Sequence, residues 1–436
     1  MITLLVPALL AVLAVPGLFT PFPWWWFAAA VGLVTLLAAA DLALAAAVDQ
    51  LRCARSGDRQ IRAGGTATVR LTVTNHGPRP LHGRIRDTWV PSAGAGSLEH
   101  LVVLDPGESV ELATELTPTR RGDRPAVRVT VRSYGPLRLA YRQTTRRQSQ
   151  TLTPPWTLRV LPPFHSRRFL PEKLSRLRVI DGQAVTRGRG QGTEFDSLRE
   201  YVVGDDIRSI DWRASARAEH VTVKNWRPER DRRVLCVLDT GRTAAARVGD
   251  EPRLDAGIDA ALLLAALASH AGDRVDMLAV DTEVRASVST GYHRTLLPTL
   301  VNAMATLEPV LFETDFGRVV SEVLYLAPRQ ALVVLFTTLE PAALGEGLLP
   351  VLPQLLSRHR VVIASVTDPA LDELAAGRAD VPAIYTAAAA EKARAVRGRV
   401  RTALSRYGVH VVEAPSATFA AAVADTYLDL KAAGRL

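Results

Sequence analysis

The chain has 436 residues, of which 48% are hydrophobic and 22% charged, and its formal net charge is +9. This length allows about three domains, and the composition is that of globular domains with some membrane-embedded chain, which argues against a mainly disordered protein. A basic balance favours acidic partners, such as anionic lipid, nucleic acid or an acidic protein face, without selecting among them. The two cysteines, Cys53 and Cys236, lie far apart, so neither a disulfide framework nor a cysteine-rich zinc site is expected.

Two apolar stretches open the chain, at residues 2–19 and 24–48. Each approaches the roughly 20 residues that span a bilayer, so residues 1–50 are predicted to form a transmembrane helical hairpin. The turn between the stretches combines prolines with clustered aromatic residues, as expected at the headgroup interface, and it carries no lysine or arginine. Arginines follow the second stretch, at Arg52, Arg55, Arg59 and Arg62. The positive-inside rule therefore predicts a two-pass protein of the plasma membrane, with both termini and the soluble domains in the cytoplasm.

Two features of this region allow other interpretations. The first stretch could be a cleaved signal peptide, but a basic n-region is missing and a second long apolar stretch follows directly. Asp41 is the one charged residue of the second stretch, and a carboxylate at membrane depth invites a functional interpretation. Because the sequence offers no intramembrane partner, we expect Asp41 to lie in the interior of the helix pair or at the interface instead.

Residues 57–163 are predicted to form a β-sandwich domain. Apolar side chains occupy every second position in the segments 66–74, 108–116 and 126–132, which is the periodicity of strands. Turn signals separate these segments at the spacing of an antiparallel sandwich, and we predict an immunoglobulin-like one.

The segment 164–233 connects this domain to the next and holds the densest motif of the chain, GTEFDSLREYVVGDDIRSIDWRASAR at residues 192–217. We expect a structural clasp, in which arginines pair with the carboxylates while Tyr201 and Trp212 bury their rings. A partner-docking surface is the second interpretation, because aromatic residues and arginine are enriched in interfaces. The residues on which both interpretations depend are Arg199, Tyr201, Gly204, Asp205, Arg208, Asp211, Trp212 and Arg217.

A third interpretation treats Asp205, Asp206 and Asp211 as a carboxylate cluster for metal-assisted hydrolysis, with Asp239 as a further candidate acid. Against it, no histidine lies near the motif until His220, and the interleaved arginines offer the acids salt-bridge partners. We therefore expect no catalytic residues in this motif.

Beyond residue 233, apolar runs alternate with helical stretches, which predicts a doubly wound α/β domain with a mainly parallel sheet over residues 234–436. A polar-apolar run after residue 281 indicates a hairpin at one edge of this sheet. No glycine-rich dinucleotide or phosphate-binding motif opens a helix, so a nucleotide site of the Rossmann or P-loop type is disfavoured. The apolar runs are 234–238, 275–280, 331–336, 361–366 and 409–412, and the helical stretches are 254–270, 296–307, 344–357, 388–407 and 418–433.

The motif at 192–217 and the strand end Asp239-Thr-Gly-Arg-Thr that follows it resemble the bacterial family called domain of unknown function fifty-eight. The Arg-Glu-Tyr, Gly-Asp-Asp-Ile-Arg and Ile-Asp-Trp elements at their spacings make the resemblance specific. It extends to the Arg-Arg-Gly-Asp at 120–123, the turn at 134–137 and the paired apolar segments, and so covers nearly the whole multidomain chain. The resemblance implies a carboxyl-terminal domain similar to a von Willebrand factor A domain and a MoxR-type AAA+ ATPase as partner.

The resemblance also implies where a metal would bind. The metal-ion-dependent adhesion site of an A domain takes oxygen ligands from an Asp-x-Ser-x-Ser motif, from a second-loop threonine and from a later aspartate, and such ligands suit Mg²⁺. Here Asp239 and Thr243 match the ends of that motif, Gly241 stands at its middle, and Thr314 is the candidate loop threonine. Thr338 is expected where the later aspartate would stand. We therefore expect an incomplete site and no cofactor, with weak Mg²⁺ binding at Asp239, Thr243 and Thr314 as the alternative.

These observations predict a non-enzymatic, membrane-anchored protein that engages a protein partner through the sheet edge from which Asp239 projects. By resemblance alone, the expected partner is a MoxR-type AAA+ ATPase. The alternatives are a metal-dependent hydrolase and a binder of anionic lipid or nucleic acid. Nucleic acid is not expected, because the basic residues are interleaved with acids rather than gathered in a stripe.

Overall fold

The computed structural model describes residues 1–19, 21–187, 194–203, 205–218, 220–227, 232–289, 295–341 and 343–436. These residues form two compact units, Met1–Pro163 and Phe164–Leu436. Gly204 and the first two residues of the predicted motif, 192–193, lie outside the described residues.

The first unit contains helices and strands in the order α1 (Leu5–Gly17), α2 (Pro23–Leu44), β1 (Leu51–Gly57), β2 (Gln60–Arg62), β3 (Ala67–Asn75), β4 (Leu81–Trp89), β5 (Glu99–Leu104), β6 (Ser109–Leu116), β7 (Gly122–Tyr134), β8 (Tyr141–Gln143), α3 (Arg146–Leu152) and β9 (Thr157–Leu161).

The two amino-terminal helices differ in length. Helix α2 has 22 residues and begins at Pro23, a position where the missing N–H of proline costs nothing. Its length corresponds to about 33 Å, enough to cross a hydrocarbon core of roughly 30 Å. Helix α1 has 13 residues, which correspond to about 20 Å. By length and composition, the segment Pro23–Gln50 is the one described helical stretch that could cross a membrane. The second predicted spanning segment therefore has a helix of sufficient length, and the first does not.

Asp41, in the last turn of α2, is fully buried. Its carboxylate accepts hydrogen bonds from the backbone N–H groups of Leu137 (2.7 Å) and Ala140 (2.8 Å), in the turn between β7 and β8. Gly135 approaches so closely that a Cβ at its position would overlap the carboxylate. Asp41 thus fixes the end of α2 to this turn, which is a structural role.

The strands of the first unit form two sheets. One has the order β1–β3–β6, and the other has the order β2–β9–β7–β4–β5 with β8 paired to β7. Leu71 and Val73 of the first sheet share one buried core with Ile85 and Val131 of the second, so the sheets pack face to face. The predicted segments correspond to β3, β6 and β7; an immunoglobulin-like topology stays a prediction.

Strand β4 has no counterpart among the predicted segments, because its buried face is not uniformly apolar. Gly83 and Asp87 interrupt the alternation on that face. Asp87 is buried because Arg55 of β1 bonds it at 2.5 Å and the Trp89 indole N–H donates to it at 3.1 Å. A paired charge can therefore occupy a core position that the hydrophobic pattern assigns to an apolar residue.

The second unit contains helices and strands in the order α4 (Leu170–Arg187), β10 (Glu194–Glu200), α5 (Trp212–Ser215), β11 (Thr222–Arg227), β12 (Arg233–Asp239), β13 (Arg247–Val248), β14 (Glu251–Pro252), α6 (Arg253–His270), β15 (Arg274–Val280), β16 (Val284–Ser289), α7 (Leu296–Ala305), α8 (Phe316–Leu326), β17 (Leu332–Phe336), α9 (Leu352–Leu356), β18 (Arg360–Thr367), α10 (Ala370–Ala376), α11 (Val381–Arg406), β19 (His410–Pro415) and α12 (Ser416–Ala432).

The main sheet of this unit has the order β16–β15–β12–β17–β18–β19. Neighbouring strands run parallel, except that β16 is antiparallel to β15. This is the mainly parallel sheet with one edge hairpin that the alternating pattern predicts. Helix α6 is buried along residues 260–268, which are all alanine or leucine. Such a helix is covered on every side, as expected beneath a central strand.

Four helices of residues 234–436 differ from the predicted ones, and one of them, α10, was not predicted. The stretch 344–357 is divided into a π-helical turn, Ala343–Leu348, and α9, because prolines at 350 and 353 lack the N–H that a continuous helix needs. Helix α8 was also not predicted, although Asp315 caps it by accepting the N–H of Arg318 at 3.1 Å. Helix α11 begins at Val381, before the predicted start at residue 388, because Asp380 provides the cap.

The predicted connecting segment 164–233 belongs to the second compact unit. Ser166 donates its backbone N–H to the carboxylate of Asp259 in α6, at 3.1 Å. Lys173 and Arg176 of α4 bond Asp425 of α12, at 3.0 and 2.9 Å. These contacts hold the first part of the segment against two helices of the α/β fold.

Candidate interaction site

Asp239 lies at the carboxyl end of the central strand β12. The strand is buried from Val234 to Asp239, and its neighbours β15 and β17 run parallel to it. This edge of an open α/β sheet is where ligand crevices form. Asp239 itself is only 2% exposed. The expectation that its carboxylate projects from the sheet edge is therefore wrong.

Both oxygens of the Asp239 carboxylate accept hydrogen bonds. Oδ1 accepts the hydroxyl of Thr314 at 2.5 Å and the backbone N–H of Gly241 at 2.8 Å. Oδ2 accepts the hydroxyl of Thr337 at 2.6 Å. Burial raises the pKa of Asp239, whereas these bonds and one from Thr243 act in the opposite direction. The cluster thus contains every predicted metal ligand: Asp239, Thr243 and Thr314.

The oxygen set of this cluster does not fit a preformed Mg²⁺ site. Asp239 supplies its single carboxylate, and the hydroxyls of Thr314 and Thr337 donate to that carboxylate, so a cation would have to displace them. A Cβ on Gly241 would overlap the hydroxyl oxygen of Thr314. Space for a hydroxyl side chain at residue 241 is therefore absent. Mg²⁺ prefers near-octahedral oxygen coordination, commonly with one or two carboxylates.

Thr337, and not Thr338, contacts Asp239. Strand β17 ends at Phe336, so Thr337 is the first residue beyond it, one position earlier than predicted. Thr338 is 3% exposed, and its hydroxyl has no hydrogen-bond partner in the described part of the chain. Thr337 and Thr338 both follow an apolar run, so the sequence marks the pair as candidates. The residue at which β17 ends decides which of the two contacts Asp239.

A second buried acid, Asp281, follows the neighbouring strand β15. It accepts hydrogen bonds from the Thr240 hydroxyl (2.7 Å) and from Nε and Nη2 of Arg285 (2.7 and 3.0 Å). Burial alone would raise the pKa of Asp281, but the bonds from Arg285, Thr240 and the backbone amides of Glu283 and Thr282 lower it to about 2. Asp281 is therefore a charged, fully paired brace between β12 and β15 that the sequence reasoning missed.

Exposed residues surround the buried cluster. Leu311 and Phe312 are 76% and 68% exposed, in the loop that precedes Thr314. The carbonyl of Phe312 accepts the N–H of Arg242 at 2.7 Å, and Nε of Arg242 bonds Glu313 at 2.9 Å. We call Leu311, Phe312, Arg242 and Glu313 the rim. It presents two large apolar side chains beside an exposed ion pair.

The predicted motif contributes strand β10 to an antiparallel hairpin whose second strand, β11, follows the motif. Arg199 bonds Asp205 through both terminal nitrogens, at 2.7 and 2.6 Å. Asp211 accepts the N–H groups of Arg213 and Ala214, both at 3.0 Å. The arginine–carboxylate pairing expected of a clasp is present for Arg199.

The remaining acids of the hairpin do not pair as predicted. Asp206 accepts the N–H of Arg208 at 3.0 Å, and Asp211 forms its ion pair with Lys224, at 3.3 Å. Arg208 and Arg217 are exposed. Among the described residues, no three His, Cys, Asp or Glu side chains form a group that could hold a metal.

The two aromatic residues of the motif differ in burial. Tyr201 is half-buried, whereas Trp212 is 66% exposed, so the prediction that Trp212 buries its ring is wrong. Val203 and Ile207 are 95% and 66% exposed on the same hairpin. We call Val203, Ile207 and Trp212 the hairpin knob.

Residues 197–408 match the family model described as Protein of unknown function DUF58. The matched region contains most of the hairpin and the whole Asp239 cluster.

Curated relatives are similar to less than half of the chain. The "Uncharacterized protein Mb1516" of Mycobacterium bovis and the "Uncharacterized protein Rv1480" of Mycobacterium tuberculosis are each 26% identical over 196 residues, which is 44% of this chain. The match spans 60% of the length of each relative.

Two solved structures show limited similarity. The CARDB domain of a Pyrococcus furiosus protein is 16% identical, with a TM-score of 0.19, and the match covers 25% of this chain and 86% of that one. A β-glucosidase from Listeria innocua is 16% identical, with a TM-score of 0.15, and the match covers 22% of this chain and 15% of that one. Similarity at this level carries no argument about fold or function.

Proposed function

We propose that this protein is a membrane-anchored, non-enzymatic interaction module that faces the cytoplasm and works with a MoxR-type AAA+ ATPase in the assembly or maturation of a client complex. Its carboxyl-terminal domain acts in the manner of a von Willebrand factor A domain whose metal site has been lost. The observation that carries the proposal is the exposed Trp212 on a hairpin that the Arg199–Asp205 ion pair braces. Exposed aromatic anchors on rigid supports are the usual energetic centres of protein interfaces.

The membrane part of the proposal rests on α2 and on the aromatic residues before it. Phe22, Trp24 and Trp25 are 68%, 83% and 78% exposed, and exposed aromatic rings are common at the headgroup interface. In a two-pass arrangement α1 would return through the bilayer. At about 20 Å, it would need local thinning of the bilayer or further helical residues.

Two surfaces are offered to the partner. The hairpin knob combines an aromatic ring and two branched side chains with the exposed Arg208 and Arg217. The rim presents Leu311 and Phe312 beside the sheet edge. Both have the aromatic, aliphatic and arginine composition typical of interface cores.

A binding experiment with purified components tests the proposal. The full chain in detergent is immobilised, and a MoxR-type ATPase from the same genome is titrated in its ATP-bound and nucleotide-free states. We expect saturable binding, weakened about tenfold or more by Trp212→Ala, because interface tryptophans commonly contribute over 2 kcal/mol. Tyr325→Ala is the matched control, since Tyr325 is an equally exposed aromatic residue, at 80%, outside the knob and the rim.

Stability measurements separate docking from the clasp interpretation. Trp212→Ala should leave the melting temperature unchanged, because an exposed ring contributes little to folding. Arg199→Met should lower it, because Asp205, whose side chain is 11% exposed, would lose its ion pair with Arg199. A Trp212→Ala variant that fails to fold would support the clasp and oppose the docking role.

A second candidate function, binding to anionic lipid, has one observation in its favour. Four arginines, Arg84, Arg86, Arg128 and Arg132, line one surface groove of the β4–β7 sheet together with Glu99. Glu99 carries a single negative charge, which it shares between Arg84 at 3.0 Å and Arg86 at 3.9 Å, so the four arginines keep an excess of positive charge. Such a basic face attracts anionic headgroups when a membrane lies nearby.

Arginine modification in nanodiscs distinguishes this candidate. With anionic lipid, phenylglyoxal should modify Arg128 and Arg132 more slowly than with zwitterionic lipid, whereas the exposed Arg399 of the second unit should react equally in both. Equal rates at all three arginines would rule lipid binding out.

A further inference from the structure

A cleft lies beside Asp239, and its lining includes no residue of the rim or of the hairpin knob. It is lined by residues of β12, β17 and β18, by the first turn of α6 and by Phe419 of α12. Its volume, including the part open to solvent, is about 310 Å³. The space within it that a water-sized group can occupy is only about 20 Å³, so the cleft admits the tip of one small polar group and not a nucleotide.

Buried hydrogen-bond donors without partners gather at this cleft. The hydroxyl of Thr338 and Nε of Arg253 belong to residues that line it. Neither group has a hydrogen-bond partner within the described part of the chain. Arg397 of α11 does not line the cleft, but its charge acts on Arg253, and its Nε and Nη2 are also buried without a partner among the described residues. Since a buried donor without a partner is costly, the two lining donors with Arg397 beside them point to a ligand with acceptor atoms.

The unpartnered donors of the cleft include positively charged guanidinium groups. Burial lowers the pKa of Arg253, and repulsion from the charge of Arg397 lowers it further. The carboxylate of Glu340 is 4.0 Å from Arg253 and half of its side chain is exposed. Oδ1 of Asp368 accepts the N–H of Ala370. These acids therefore leave the buried guanidinium nitrogens unsatisfied.

One further feature favours a small anion. Arg253 and Leu254 open helix α6, an 18-residue helix whose amino-terminal dipole end attracts negative charge. Asp239 also lines the cleft, but both of its oxygens already accept hydrogen bonds, so it offers no free acceptor to the donors.

We propose that this cleft binds the carboxylate of an acidic side chain from a protein partner, held by the guanidinium groups of Arg253 and Arg397 and the hydroxyl of Thr338. The inference rests on the proposed interaction function and names the chemical group that the partner supplies. Arginine takes the place of a divalent cation in receiving the acid, through charge-assisted N–H donors. The three side chains come from different elements, α6, α11 and the loop after β17, so the cleft exists only in the folded domain.

Sodium acetate is the probe, with sodium phosphate and sodium chloride at matched ionic strength as comparisons. The melting temperature of the full chain in detergent is measured against the concentration of each salt. We expect a saturable rise with acetate beyond that with chloride. Arg397→Gln should weaken acetate binding about tenfold or more, since a hydrogen bond to a charged group is lost. Arg399→Gln, a change at an exposed arginine on the same helix, should leave it unchanged.

Thr338→Val provides a second variant of nearly equal shape and should weaken acetate binding severalfold. Absence of a saturable acetate effect, equal affinity in Arg397→Gln and Thr338→Val, or a preference for phosphate over acetate would each overturn the inference. Acetate binding without binding of the ATPase would contradict only the assigned partner. Equal ATPase binding by wild type and Arg397→Gln would contradict only the role of the cleft.

Discussion

The hydroxyl oxygen of Thr314 occupies the space that a side chain on Gly241 would need, and it donates a hydrogen bond to Asp239 at 2.5 Å. The loop that carries Thr314 thus supplies a hydroxyl at the place where the loop that carries Gly241 has no side chain. Together with Thr337, this arrangement satisfies a buried carboxylate with neutral donors. It is the physical basis for treating the sheet edge as a surface for protein contacts and not as a metal centre.

Gly241→Ser should destabilise the second unit. The new side chain would collide with Thr314, and overpacking of a well-filled site costs about 1–3 kcal/mol. Denaturant unfolding of the full chain measures the change. Thr314→Ala added to Gly241→Ser should recover part of the loss by removing the clash. Full stability of the single variant would show that the two residues do not compete for space.

Asp239→Asn should gain stability relative to wild type as the pH rises. Burial raises the pKa of Asp239, so its carboxyl group stabilises the fold fully below its unfolded pKa and loses that contribution as the pH passes through the raised folded value. The asparagine does not titrate. Melting temperatures of both proteins across acidic to neutral pH measure the difference, which should grow with pH. A constant difference would contradict the raised pKa.

Asp41→Ala should destabilise the first unit, because the backbone N–H groups of Leu137 and Ala140 would lose their acceptor in a buried position. Each orphaned donor costs about 1–3 kcal/mol. Limited proteolysis of the turn at residues 135–140 and thermal melting report the effect. Asp41→Asn retains one acceptor oxygen and should be affected less. Equal behaviour of the two variants would speak against the hydrogen bonds as the cause.

Calorimetric titration of the full chain with Mg²⁺ and Mn²⁺ should show no saturable binding in the micromolar range. The hydroxyls of Thr314 and Thr337 are directed at Asp239, and Gly241 provides no ligand. Micromolar binding that Asp239→Ala abolishes would contradict the metal-free account.

The sequence predicted those parts of the site that depend on strand periodicity. The apolar run Val234–Leu238 has the length of one buried parallel strand. The residue that follows it, Asp239, is therefore predicted at the carboxyl edge of the sheet. The choice between Thr337 and Thr338 depends on the last residue of β17, and periodicity does not resolve one residue. Arg253 and Arg397 are separated by more than a hundred positions, so only the fold brings them together.

Burial of the hairpin residues was less predictable. Composition alone does not say whether a tryptophan beside arginines packs inward or outward, and Trp212 faces solvent. The pairing of Arg199 with Asp205 follows from their short separation in sequence, whereas the pairing of Asp211 with Lys224 depends on the hairpin register. Ion pairs between residues close together in sequence can be predicted from the sequence. Ion pairs across two strands can be predicted only when the register of the strands is known.

Binding of a MoxR-type ATPase to the purified full chain tests the central claim most directly. The account predicts saturable binding that Trp212→Ala and Phe312→Ala weaken, that Tyr325→Ala leaves unchanged, and that occurs without turnover of any small molecule by the chain itself. Absence of binding in both the ATP-bound and the nucleotide-free state, or equal binding by all three variants, would contradict it.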